Sequence, residues 1–249
     1  MLKKTLIISF LFLVFLSLFL IFPKKITKEK VENKVSEISA SLSREVAPTQ
    51  SETEGLDSKH LIKTAFIEQA PEKNWDQPWQ DTCEEAALLT VDYFYKNQSP
   101  NSETVKNDIL KMIDFENQKS FTKDINIDQM SLVSEKYLGY STIIINNPTI
   151  DDIKKYLIKD IPVVIPANGK ILYQENKHFN SGGPYYHNLT ILGYDDTKNK
   201  FIVHDVGTQF GAYFHYSYSL LMKSIHDFPL SGKKEDINNG VKKILVLLK

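Results

Sequence analysis

Apolar and polar residues alternate along this chain in two different periods, and the change from one to the other divides it. From Cys83 the apolar positions Ala87, Val91, Phe94 and Tyr95 recur at helical spacing, which predicts one buried helix face running to about Asn97. Asn101 or Ser102 is placed to cap a second helix through about Ile113, and residues 127–137 read as a third. The β-branched stretch 141–146 predicts a strand, Thr149 with Asp151 and Asp152 opens another helix, and residues 162–166 return as a strand. Strands then dominate. Residues 188–194 and 201–205 flank a polar connection, 195–200, suited to a hairpin. A strand over 211–216, a helix over 219–225 and a closing strand over 243–248 complete the pattern, and residues 61–67 look like a short strand at its start. Runs of helices followed by runs of antiparallel strands predict an α+β fold, a helical N-terminal half packed on an antiparallel sheet.

The region before residue 61 has a different character. Lys3 and Lys4 precede an uncharged apolar run over 5–22, followed by Pro23, Lys24 and Lys25. That run is close to the roughly 20 residues that span a membrane, longer than the usual core of a secretory signal, and no small-x-small cleavage pattern follows it. Residues 1–25 are therefore expected to be a signal anchor, with a cleaved signal peptide as the alternative. The absence of a nearby cysteine excludes a lipoprotein anchor. Lys24, Lys25, Lys28 and Lys30 outnumber Lys3 and Lys4, so charge counting alone leaves the domain in the cytoplasm. A very short segment before a single apolar run is instead the pattern of an export signal. The expectation is a single-pass cell-membrane protein with an extracytoplasmic domain, or a secreted one if the signal is cleaved. Residues 26–60 are rich in Lys, Glu, Ser and Thr and too poor in apolar groups to offset the entropy of ordering, so they read as a polar linker. Residues 61–249 form the globular domain.

Composition narrows the function classes. With 42% hydrophobic residues and a formal net charge of -1, the chain has enough apolar material for a core and no bias toward nucleic acid. One cysteine excludes an internal disulfide framework.

That cysteine, Cys83, is the candidate nucleophile. It stands at the first turn of a predicted helix, where unpartnered N–H groups and the dipole favour a thiolate. The ordinary alternative is a small buried hydrophobe. His187 follows the turn Gly182-Gly183-Pro184 and opens a strand, and Asp205 ends the next one, so a hairpin brings the two together. A nucleophile, a base and a group that orients the base are what thiol activation needs, against a structural role for His187 at a strand edge. His60, His178, His204, His215 and His226 lack such a context, and neither His204-Asp205 nor His226-Asp227 has zinc-site spacing. No metal or cofactor is expected. Trp75, Trp79, Tyr185 and Tyr186 are candidate cleft aromatics.

The order Gln69, Trp75, then Gln80-Asp81-Thr82-Cys83-Glu84-Glu85-Ala86, with Tyr186-His187-Asn188-Leu189-Thr190-Ile191-Leu192-Gly193-Tyr194-Asp195-Asp196 and Phe201-Ile202-Val203-His204-Asp205 far downstream, resembles the bacterial papain-like cysteine peptidases related to bacteriocin-leader peptidases. The resemblance implies a papain-like fold and hydrolysis of peptide bonds in a peptide or protein substrate. By position it makes Cys83 the nucleophile, His187 the base, Asp205 its orienting group and Gln69 the oxyanion donor, with Gln77 and Gln80 as nearer amides. Glu84 departs from the family's commonest pattern, which has Gly-Pro after the cysteine. A non-catalytic binder of peptide or cell wall, a peptidoglycan amidase or transpeptidase, and a tethered interaction protein are the competing readings.

Overall fold

The computed structural model describes residues 57–249. The expected membrane segment over 5–22 and most of the expected linker lie outside the described residues. Among the described residues no helix is long and apolar enough to cross a membrane.

Seven antiparallel strands form one sheet in the order β2-β7-β3-β4-β5-β6, with β1 also paired to β4. The strands are β1 Lys59–Leu61, β2 Ser141–Asn146, β3 Val163–Asn168, β4 Tyr186–Asp195, β5 Lys200–His204, β6 Phe214–Ser217 and β7 Lys243–Leu248. The α+β expectation holds, and helices cover both faces of the sheet rather than one. Period-2 alternation produces this: on β7, Leu245 and Leu247 join one core cluster while Ile244 and Val246 join the other. The first cluster holds α1 (Cys83–Lys96), α2 (Ser102–Gln118) and α3 (Ile127–Val133); the second holds α4 (Ile150–Leu157), a short turn α5 (Gly169–Leu172) and α6 (Tyr218–Ser224).

The expected strand over 61–67 is shortened to Lys59–Leu61. β1 pairs with Gly193–Asp195 of β4, and the same edge of β4 is taken by β3 from Ile191 backward, so only Ile62 N–H reaches one more carbonyl, that of Leu192. The chain then leaves the sheet and runs to Gln69, whose N–H donates to the Val206 carbonyl. The third helix narrows likewise. Asn126 caps α3 through a reciprocal bond with Gln129, but residues 134–138 continue as a wider π turn that ends at Gly139 with φ 85°.

α1 departs most from its expected form. Every residue from Cys83 through Tyr93 is buried, so this is a central helix enclosed on all sides. Thr190 on β4 donates to the Ala87 carbonyl and fixes the helix against the sheet. Asn97 ends it in the left-handed region, a conformation that asparagine tolerates.

Candidate active site

Cys83 is the first residue of α1. Thr82, which precedes it, makes no side-chain cap: its hydroxyl donates to the Gln69 and Trp79 carbonyls instead. Thr82 therefore leaves the opening turn uncapped, while its hydroxyl pins the incoming loop under the cysteine. His187 stands at the second position of β4, paired in register with Ala167 of β3. Asp205 follows the last residue of β5, so the hairpin delivers the carboxylate beside the imidazole, as the sequence pattern anticipates. Asp205 Oδ1 lies 2.8 Å from His187 Nε2, and His187 Nδ1 makes no hydrogen bond to the described residues.

Asp205 is fully buried and fully engaged. Asn176 Nδ2 donates to Oδ2 at 3.0 Å, the Tyr216 hydroxyl donates to the same oxygen, and Gly207 N–H donates to Oδ1. Burial alone raises its carboxyl, but His187, Tyr216 and Asn176 outweigh it and hold the group below the usual range. Gly207 is needed for close approach, since a Cβ there stands 2.6 Å from His187 Cε1 and 2.9 Å from a Phe179 ring carbon. Phe179 meets the His187 ring edge-on at 5.3 Å between centroids.

Cys83 and His187 line one cleft of about 400 Å³, together with Gln69, Gln80, Trp75 and Tyr186. His178, Phe179 and Phe210 add an aromatic rim, with the His178 and Phe210 rings tilted against each other at 4.4 Å between centroids. Among the described residues no Lys, Arg, Asp or Glu lines this cleft. Of the expected aromatics, Trp75 and Tyr186 face it, Tyr185 is exposed under Lys170, and Trp79 is buried in the helical core.

The three candidate glutamines separate. Gln77 borders a different cavity and donates to Asp81. Gln80 and Gln69 both reach the cleft. Both Gln69 amide donations are spent on the loop before Cys83, to the Trp79 and Gln80 carbonyls at 3.0 Å each.

At Cys83 itself the expected thiolate is not the resting form. Sγ donates to Glu84 Oε2 at 3.0 Å, and no hydrogen bond joins it to His187. Burial first, then the adjacent Glu84 carboxyl and Asp124, pushes the thiol well above its ordinary range. The helix dipole is outweighed because the group is buried beside acids. Glu84, Asn176, Tyr216 and Gly207 were not identified as site residues by sequence reading. Glu84 stood out only as a departure after the cysteine, and the others reach the site from across the fold.

Residues 62–228 match the model of the Peptidase_C39 like family. No curated protein matches the chain. Solved structures similar to it include the following two. A protein described as a C39-like peptidase from Bacillus anthracis shares 15% identity over 78% of this chain and 99% of that one, with a TM-score of 0.47. Xylellain, a cysteine protease from Xylella fastidiosa, shares 13% over 82% of this chain and 90% of that one, with a TM-score of 0.49.

Proposed function

The chain belongs to the Peptidase_C39 like family and is a cysteine peptidase, and from that premise we propose that it hydrolyses peptide bonds through Cys83, His187 and Asp205. The observation that carries the proposal is the buried His187–Asp205 bond, 2.8 Å from Nε2 to Oδ1, with Cys83 and His187 on one cleft. Because Asp205 occupies Nε2, the base is Nδ1. The Cys83 S–H proton passes to Nδ1 and the electron pair left on Sγ attacks the substrate carbonyl carbon. The carbonyl oxygen becomes an oxyanion at the opening turn of α1, with the Gln69 amide turning one N–H from the Trp79 or Gln80 carbonyl toward it. His187 then returns its proton to the departing amine, leaving a thioester on Cys83. Water, deprotonated by Nδ1, attacks the thioester, releases the acid and restores the thiol. The uncharged cleft supports a substrate segment without charged side chains at the bond that is cut.

The domain works outside the cell, anchored by the apolar run over residues 5–22 through the polar linker, or released if that run is cleaved. Turnover of a peptide library by the purified full chain tests the chemistry: Cys83→Ala and His187→Ala both abolish it while thermal unfolding stays cooperative. Full turnover by Cys83→Ala rejects the proposal. Protease shaving of intact cells tests the location, and a domain digested only after lysis is cytoplasmic.

A further inference from the structure

Glu84 sits in a poor place for a carboxylate. It is 0% exposed. Its Oε1 accepts from the Ile125 N–H at 3.1 Å, which turns Oε2 to the Cys83 sulfur at 3.0 Å. Among the described residues the other hydrogen bond to Sγ comes from Asn188 Nδ2, 3.9 Å away. The groups around it bring little positive charge. From its own helix come Cys83 and Glu85, and from the segment before α3 comes Asp124. From β4 come Tyr186, whose hydroxyl is committed to the Ile125 carbonyl, and Asn188, whose Oδ1 has no partner. No lysine bonds to Glu84 among the described residues. His187, across the cleft on β4, is the one neighbour that gains positive charge during the reaction proposed above.

Two anions 3 Å apart in a buried site repel strongly, so a Glu84 carboxylate and a Cys83 thiolate do not coexist there. One proton must remain between them. While Glu84 is ionised, it accepts the S–H and the sulfur stays an unreactive thiol. While Glu84 is protonated, the geometry reverses: its O–H points to Sγ and stabilises the thiolate.

We propose that Glu84 is a catalytic residue that acts as a carboxylic acid, donating its O–H to the Cys83 sulfur when the thiol proton passes to His187 Nδ1. The role rests on the reading of Cys83 and His187 as nucleophile and base. Protons balance: the S–H proton moves to Nδ1, the electron pair stays on sulfur, and the Glu84 proton remains on Oε2, shared along the new O–H to S bond. Burial first, and then Asp124, raises the Glu84 carboxyl well above its usual range, so the acid form persists where an exposed glutamate is ionised.

The test is the rate at which iodoacetamide alkylates Cys83 in the full chain, followed from about pH 5 to about pH 10. The wild type shows a limb in which the rate falls with rising pH as Glu84 ionises. Glu84→Gln keeps an amide donor to Sγ and an oxygen for Ile125 N–H but does not ionise. It loses that limb, and its apparent thiol ionisation drops by about one to three pH units. Glu84→Leu also lacks the limb but has no donor, and it alkylates about ten- to a hundredfold more slowly than Glu84→Gln at neutral pH. A Glu84→Gln profile that superimposes on the wild type overturns the proposal, as does a Gln variant as slow as Leu. Thermal unfolding is run beside each variant. If Leu does not fold, the Gln profile alone decides. Wild-type Cys83 that reacts no faster than a free thiol, with or without His187, rejects the underlying nucleophile–base reading instead.

Discussion

Asp205 and Glu84 are two fully buried carboxyl groups in one site, and their surroundings drive them in opposite directions. Asp205 accepts from Asn176, Tyr216 and Gly207 and faces His187, so it stays ionised despite burial. Glu84 has one backbone donor and an acidic neighbour in Asp124, so it is driven toward its neutral form. Burial is common to both; partners decide the charge. The same division extends along the helices, where Glu85 of α1 and Glu116 of α2 are buried against each other and burial raises both carboxyls. The sheet side of the site therefore holds a fixed negative charge that orients the base, and the helix side holds carboxyls that favour a proton.

The largest effect comes from breaking the partnered side. Asp205→Asn removes the charge that orients His187 and stabilises its protonated form, and kcat falls on the order of a thousandfold or more, with a smaller change in KM. Steady-state kinetics on a cleavable peptide checks it. Wild-type stability also carries the sign of this group. Its folded-state value lies below the ordinary 3.8, so its contribution is present above that pH and is lost as pH falls through the folded value. Acid unfolding of Asp205→Asn lacks that limb.

The helix side titrates the other way. Burial, against a lowering contact with Glu85, carries Glu116 from 4.5 to about 7. A raised acid is most favourable to the fold below its unfolded value, and the wild type loses stability as pH climbs from 4.5 through 7. Glu116→Gln flattens this slope, which urea unfolding across that range measures. A slope unchanged in the variant assigns the loss elsewhere.

A smaller effect at working pH comes from His204, on β5 beside Asp205. The Ala65 backbone approaches its buried ring, which packs edge-on to Phe66 and Tyr213. Burial lowers it from 6.5 to about 4, so the fold is unaffected above 6.5 and is destabilised as pH falls toward 4. His204→Phe keeps the aromatic contacts and is near neutral in stability at pH 7, but gains about 3 kcal/mol over the wild type at the acid end. Thermal melts at the two pH values separate these outcomes.

Much of the sheet was legible because period 2 is local: 141–146 and 243–248 read directly as β2 and β7. The Cys83, His187 and Asp205 positions were legible for a similar reason, since each lies at an element boundary marked by turns or caps. The failures depended on distant contacts. Residues 62–67 have strand composition, but β3 already holds the edge they would need. The full enclosure of α1 was hidden because Ala86, Leu88 and Leu89 face sequence-remote strands and helices. Asn176 and Tyr216 lie 29 and 11 residues from Asp205, so their bonds to it depend on the tertiary fold. Glu84 adjoins Cys83, yet its buried pose is set by Ile125, 41 residues downstream.

The most direct test is intact-mass analysis of the full chain mixed with an activated peptide ester and quenched in acid within one turnover. A single acyl group in thioester linkage on Cys83 is the expected result. It is absent in Cys83→Ala, and its rate of formation falls sharply in His187→Ala. An acyl group on another residue, or undiminished hydrolysis by Cys83→Ala, contradicts that expectation.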